Sequence, residues 1–300
     1  MMKTKHVMMA ALGVVLMSCE KPLMAEGENG ELTEDGVKAP SKLFRFTVKG
    51  DFGSPTFTEG SVTRGYLQAD GQQMTDLWAF DYVGDECQQV VHQTPDADNW
   101  GEPSMPLTLG THHVYFVASR GDSPTVDQNA KTITWTRPRD TFWKDYEVTV
   151  VNTSNGNRAV TLDRVATRLR VAVTDEIPAG VATISLTPAL WYYGLNYQTG
   201  EPAAATNSQE RVISIPSSYI GTTGQLTASI FGMSGTAEWI TDVTLKVKDG
   251  NGDVVAQVVI DDAPLKANRT TEYSGEMFSN SNTMSMSLNT VWSTSHQATW

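Results

Sequence analysis

Two cysteines in 300 residues are too few for a disulfide-stapled scaffold or a multi-cysteine zinc site. Positive charge is scarce too: 22 Lys and Arg face 34 Asp and Glu, a formal net charge of −12. Such a balance repels phosphate backbones, so a broad nucleic-acid-binding face is excluded. No apolar run reaches the roughly 20 residues that a bilayer-crossing helix needs. Helical spacing is never sustained over three turns, although Val160 to Val173 could hold one helical turn. Walker loop, His-Glu-x-x-His and dinucleotide fingerprint are all missing, and Gly232-Met233-Ser234-Gly235 lacks the glycine spacing of a nucleophile elbow. The residues therefore point to no enzyme and no cofactor. What the chain does have is an apolar fraction of 40% with 8 Trp, 9 Tyr and 9 Phe, which suits a packed core and excludes disorder as its main state.

Residues 1–18 have the grammar of an export signal: Lys3, Lys5 and His6 precede the uncharged apolar run Val7 to Met17. The run closes in Leu16-Met17-Ser18-Cys19, which resembles a bacterial lipobox, with Met17 in place of the usual small or branched residue. Cys19 is thus expected to be lipidated, for instance with palmitate, and to tether the exported chain to the outer membrane. Each buried lipid CH₂ contributes about 0.8 kcal/mol, so several acyl chains hold firmly. The remaining Cys87 reads as a small hydrophobe without chemistry.

Residues 19–42 are polar and acidic and read as a flexible spacer. From Leu43 onward short β-type runs alternate with Gly, Asn, Asp and Pro. Phe44, Phe46 and Val48 alternate with Arg45, Thr47 and Lys49, the pattern of a half-buried strand. Leu77 to Val83, Val114 to Ala118, Tyr146 to Val151 and Leu169 to Val173 continue the series. Asp249-Gly250-Asn251-Gly252-Asp253, between two such runs, is a hairpin turn. It imitates the start of a calcium loop, but Ile260 stands where the twelfth-position carboxylate belongs. Strands this short and turns this frequent build sandwiches. The stretch Asn152 to Arg158 is the best interior linker, and the expected fold is all-β with two tandem sandwiches, 43–158 and 159–278, followed by a tail, 279–300.

His112 and His113 are neighbours on a strand, point to opposite faces and cannot chelate one ion. No metal site is expected. Trp191-Tyr192-Tyr193-Gly194-Leu195-Asn196-Tyr197 permits a second reading, because exposed rings stack on sugars. On it, Trp191 and Tyr193 would make the chain a surface glycan-binding lipoprotein; otherwise the rings fill a core or an interface. In the tail, Met284, Met286, Leu288 and Trp292 share one parity after the polar stretch Ser279-Asn280-Ser281-Asn282. Such a strand either folds back as the last strand of its own sandwich or completes a neighbour's sheet. Four side chains buried at about 1.5–3 kcal/mol each give roughly 6–12 kcal/mol before ordering costs.

Several segments, in order, resemble the fimbrillin family, the type V pilus subunits of Bacteroidales-type Gram-negative bacteria. They are the lipobox with its acidic spacer, Thr63-Arg64, Asp76-Leu77-Trp78-Ala79-Phe80-Asp81, and Val114 to Ala118. Leu162-Asp163-Arg164-Val165-Ala166-Thr167-Arg168-Leu169-Arg170-Val171 looks like the family's Arg-Val-Ala segment, and Pro264 to Thr271 with Gly275-Glu276-Met277-Phe278 like its closing strand. The resemblance implies two transthyretin-like β-sandwich domains, export as a lipoprotein, and removal of the N-terminal strand by an Arg-specific protease. The strand removed would be Leu43–Lys49, with Phe44, Phe46 and Val48 as its plug. Arg64 is the expected cleavage point and Arg45, inside the strand, the poorer one. A neighbour's tail, its Met284, Met286, Leu288 and Trp292, would fill the groove by donor-strand exchange. That head-to-tail contact does not close and so builds a fibre. The partners implied are other fimbrial subunits, in a homo- or hetero-polymer, and a host or bacterial surface ligand, with a role in adhesion.

Overall fold

The computed structural model describes residues 40–50, 67–69, 72–206, 209–235, 238–279 and 284–289. In chain order its strands begin with β1 (Ser41–Gly50), β2 (Gln68–Ala69), β3 (Gln72–Gln73), β4 (Asp76–Val83), β5 (Glu86–Gln93), β6 (Ser104–Thr108) and β7 (Gly110–Ser119). There follow β8 (Thr125–Asp127), β9 (Thr132–Thr134), β10 (Thr141–Val150), β11 (Asn157–Arg164), β12 (Ala166–Val173), β13 (Val181–Pro188) and β14 (Trp191–Asn196). The series ends with β15 (Pro202–Thr206), β16 (Arg211–Ser214), β17 (Thr227–Met233), β18 (Glu238–Asp249), β19 (Val254–Lys266), β20 (Thr270–Gly275) and β21 (Met284–Asn289). One 3-10 turn, Ser217–Tyr219, is the sole helical element among the described residues. The protein is all-β.

The largest sheet has seven strands in the order β5-β4-β7-β10-β11-β1-β6. Its inward side chains, among them Phe44, Phe46, Val48, Leu77, Phe116 and Leu162, form one core. Two four-stranded sheets, β17-β12-β20-β21 and β16-β13-β18-β19, enclose another around Leu169, Leu186, Trp191, Leu245 and Tyr273. The hairpin closes as expected: Asp249 Oδ1 accepts the backbone N–H groups of Asn251 and Asp253 at 2.9 and 3.0 Å. Gly252, at φ +93°, supplies the left-handed backbone that the turn requires.

A third core joins the two. β4 sends Leu77 and Ala79 into the first core and Trp78, Phe80 and Tyr82 into the third; β7 does likewise with Val114 and Phe116 against Tyr115 and Val117. Burial on both faces explains why these strands read as unbroken apolar runs rather than alternating ones. The outer wall is a sheet of order β15-β14-β9-β8, built from residues 125–134 and 191–206, so both halves of the chain contribute to it.

The polar stretch 152–158, expected to separate the sandwiches, leads into β11, which still belongs to the first sheet and runs parallel to β1. The chain then passes from β11 to β12, from one sheet to another, at Val165 alone. Both sides of that step are extended, so the helical turn expected within 160–173 does not form. A buried ion pair fixes the step. Arg164 donates from Nε to Asp140 Oδ1 at 2.7 Å and from Nη2 to Oδ2 at 3.0 Å, and from Nη1 to Asn268 Oδ1 at 3.1 Å.

Candidate functional site

β1 occupies a slot between two strands. It pairs in parallel with β11, from Arg45 opposite Asn157 to Gly50 opposite Leu162, and antiparallel with β6, from Ser41 opposite Thr108 to Arg45 opposite Ser104. Further backbone bonds run from Arg45 N–H to the Gly156 carbonyl at 2.6 Å, Phe46 N–H to Pro103 at 3.0 Å and Val48 N–H to Gly101 at 2.9 Å. Phe44, Phe46 and Val48 are each 0% exposed. Phe46 meets Phe116 and Tyr146 edge-on at 5.2 and 5.9 Å, and the Arg158 guanidinium sits 5.0 Å over the Phe44 ring. At about 1.5–3 kcal/mol per buried side chain, the three contribute roughly 4.5–9 kcal/mol. Gly156 makes the close approach feasible: a Cβ there would lie 1.9 Å from the Leu43 carbonyl oxygen.

β6, the second wall, is an edge strand, which is where a ladder tolerates the missing N–H of Pro106. It is clamped from behind. Gln89 Nε2 donates to the Pro106 carbonyl at 2.8 Å and to Asp81 Oδ2 at 3.4 Å. His112, 1% exposed, places Nδ1 2.7 Å from Asp81 Oδ1 and Nε2 3.0 Å from the Thr108 carbonyl. Both are acceptors, so only an imidazolium donates to both at once. Burial opposes that charge, but the Asp81 hydrogen bond and charge, with the Thr108 carbonyl, outweigh it and raise the His112 pKa. His113 faces the other way, with Nδ1 3.0 Å from Asp145 Oδ1.

The other expected site residues fall as follows. Arg45 is exposed, but its backbone is paired on both sides within β1. Cys19, Arg64 and Trp292 lie outside the described residues, as do the leader and most of the spacer. Cys87 is half-buried on β5, its Sγ 3.8 Å from the Gln89 carbonyl. The tail residues Met284, Met286 and Leu288 belong to β21, which pairs antiparallel with β20 at a sheet edge; they stand opposite Gly275, Tyr273 and Thr271.

The exposed aromatic platform that the alternative, glycan-binding reading requires at Trp191 and Tyr193 is not there. Trp191 is 0% and Tyr193 7% exposed, both inside the core of the second half. The polar tip of Trp191 is satisfied internally, Nε1 donating to the Phe231 carbonyl at 2.8 Å, and burial pushes the Tyr193 pKa up to about 12. Tyr197 is buried too, stacked on Phe80 at 4.0 Å. With no ring face free at these two positions, they offer nothing on which a sugar could stack.

Sequence reasoning missed the Asp81–His112 and Asp140–Arg164 pairs and the role of Gly156. The adjacency of His112 and His113 on a strand, with one forced inward, was the only available signal for any of them.

The model of the family DUF6562, a family of unknown function, matches residues 123–299. No curated protein matches the sequence. Among solved structures, a candidate adhesin from Bacteroides ovatus is similar at a TM-score of 0.51 and 13% identity, over 79% of this chain and 88% of that one. At such identity the likeness is one of fold. Also similar are a fimbrial assembly protein from Parabacteroides distasonis (TM-score 0.48, 11% identity, 84% of this chain and 100% of that one) and the fimbrial anchor protein Mfa2 from Porphyromonas gingivalis (0.47, 9%, 83% and 98%). These three are proteins of Bacteroidales bacteria, one a candidate adhesin and two fimbrial.

Proposed function

The chain belongs to the DUF6562 family, and we propose that it is a structural subunit of a cell-surface fimbria, with a role in adhesion and no catalytic chemistry of its own. The observation that carries the reading is β1: the first described strand, paired on both edges between β11 and β6, with Phe44, Phe46 and Val48 as its buried, inward side chains. Arg64 lies in the segment joining it to the rest of the fold. Cleavage there would leave β1 held without covalent linkage. Its departure would open a groove with two hydrogen-bonding edges and an apolar floor. Met284, Met286 and Leu288 repeat the spacing of the departing residues, and Trp292 falls on the same parity. The tail of a neighbouring subunit would then enter by donor-strand exchange.

In this account the halves are transthyretin-like sandwiches divided near Val165, residues 1–18 are removed on export, and Cys19 carries the lipid that holds the precursor at the outer membrane. The partners are other fimbrial subunits, in a homo- or hetero-polymer, and a ligand on a host or bacterial surface. A tail able to donate its strand favours a stalk or tip position over an anchor.

An Arg-specific protease followed by N-terminal sequencing and size-exclusion chromatography tests this directly. A new start at Gly65 with growth of multimers is expected, and deleting Ser281–Trp300 should abolish the multimers while leaving a folded monomer. A deletion variant that unfolds, or a cleaved chain that stays monomeric, would refute donor-strand assembly.

A further inference from the structure

In the connection that follows β20, one carboxylate gathers three consecutive backbone N–H groups. Asp175, two residues beyond the end of β12, accepts from Met277 N–H at 3.1 Å to each of its oxygens, from Phe278 N–H at 2.6 Å to Oδ2 and from Ser279 N–H at 3.1 Å to Oδ2. Successive amides turned the same way form a concavity for an anion, and bonds to an ionised acceptor are roughly twice as strong as neutral ones. Packing reinforces the grip: Met277 is fully buried in the core and Phe278 packs against it. Thr174 N–H donates to the Gly275 carbonyl at 2.9 Å, and Ser279 Oγ to Glu276 Oε2 at 2.6 Å. The polar residues Asn280, Ser281 and Asn282 come immediately after.

We propose that Asp175 is the latch that sets the pivot of the C-terminal arm. The chain up to Ser279 stays with its own body, and exchange of partners begins at residue 280. A pull on an arm without this latch would act on β20, which ends at Gly275 only four residues upstream and is the strand that joins β12 to β21. With the latch, the pull ends on the Asp175 carboxylate and the buried Met277. Five residue steps from Ser279 to Met284 span at most about 17 Å of extended chain, so the donated strand begins within that distance of the latch. The purpose of the latch rests on the donor-strand reading; its existence as a local anchor does not.

The test is amide hydrogen exchange on the full chain carrying Asp175→Gly or Asp175→Asn. Exchange at Met277, Phe278 and Ser279 should quicken about a hundredfold in the glycine variant and less in the asparagine variant, which keeps one acceptor oxygen. Amides of β12 and β20 should be unchanged. Sodium formate, a free carboxylate of the right size for the vacated concavity, should restore protection in the glycine variant where sodium chloride at equal ionic strength does not. A merely structural residue would not show that rescue. Unchanged exchange at the three amides, loss of protection spreading through β12 and β20, or failure of formate to restore it would each overturn the latch. If the latch behaves as expected but cleaved wild-type chains form no multimers, the donor-strand reading falls and the anchor stands. Cleaved Asp175→Gly multimers that resist urea as well as wild-type ones would remove the latch from assembly.

Discussion

A chain cut between β1 and β2 holds β1 by non-covalent contacts alone, so the lifetime of β1 in nicked protein measures the plug. Phe46→Ala is the sharpest perturbation. Phe46 is central in the strand and 0% exposed, with its ring against Phe116 and Tyr146 and stacked 6.2 Å from Phe44. Truncating a fully buried Phe costs about 3–5 kcal/mol, and partial collapse of the site decides where in that range it falls. Differences between related complexes appear mostly in the off-rate, and about 1.4 kcal/mol is a factor of ten. Loss of β1 should therefore accelerate by about two to three and a half factors of ten. Leu43, 60% exposed on the outward side of the strand, is a harmless place for a dye once it is replaced by Cys in a Cys87→Ser background. Release is then followed on diluting nicked protein into excess unlabelled peptide of residues 41–50, and again into a peptide of residues 284–292. Equal lifetimes for wild type and Phe46→Ala would show that the buried face does not hold β1. Global unfolding on release would show that the slot cannot exist without its strand. Either result would refute the plug.

Three further outcomes follow from the same geometry. Gly156→Ala puts a Cβ 1.9 Å from the Leu43 carbonyl oxygen, a backbone atom that cannot swing aside, so release of nicked β1 should quicken without loss of the other strands; an unchanged lifetime counts against the close approach. Because the folded-state pKa of His112 is raised, its stabilising contribution is fully present below about pH 6.5, the ordinary His value, and is lost as pH rises through the folded value. The gap between urea midpoints of wild type and His112→Gln should thus narrow with rising pH, and a gap independent of pH would argue that the imidazolium plays no role. Trp191→Ala should lower stability by about 3–5 kcal/mol, as for a core ring, while leaving retention on polysaccharide columns unaltered; a change in retention without a change in stability would return the residue to the surface.

What could be read from the residues followed from local periodicity. β1 declares itself because one face is buried and the other wet, and the Asp249–Asp253 turn because only certain residues make that bend. Trp191 misled because an inward aromatic and an exposed one look alike in a sequence, and the bond that satisfies its N–H comes from Phe231, 40 residues on. The crossing at Val165 left no mark: a single extended residue changes sheets without Gly or Pro, while the louder polar signal at 152–158 belongs to a loop inside the first sheet. Paired polar residues such as Asp81 with His112, 31 apart, or Asp175 with Met277, 102 apart, have no period to betray them.

That crossing decides how the two halves unfold. If they were independent beads on a string, each would melt at its own midpoint. Here β4 and β7 are buried on both faces, and the sheet that covers their second face is drawn from both halves. Opening either half exposes the third core, so the described fold should unfold in one transition, with tryptophan fluorescence and far-ultraviolet circular dichroism coincident in urea. Asp140→Ala sharpens the test. It takes the bidentate carboxylate away from the buried Arg164 guanidinium, a loss of about 3–5 kcal/mol, whereas replacing both residues by apolar ones of like volume costs little. If the shared layer couples the halves, Asp140→Ala lowers one common midpoint. Two separated transitions, only one of them moved by the substitution, would show that the layer joins the halves in space without joining them in stability.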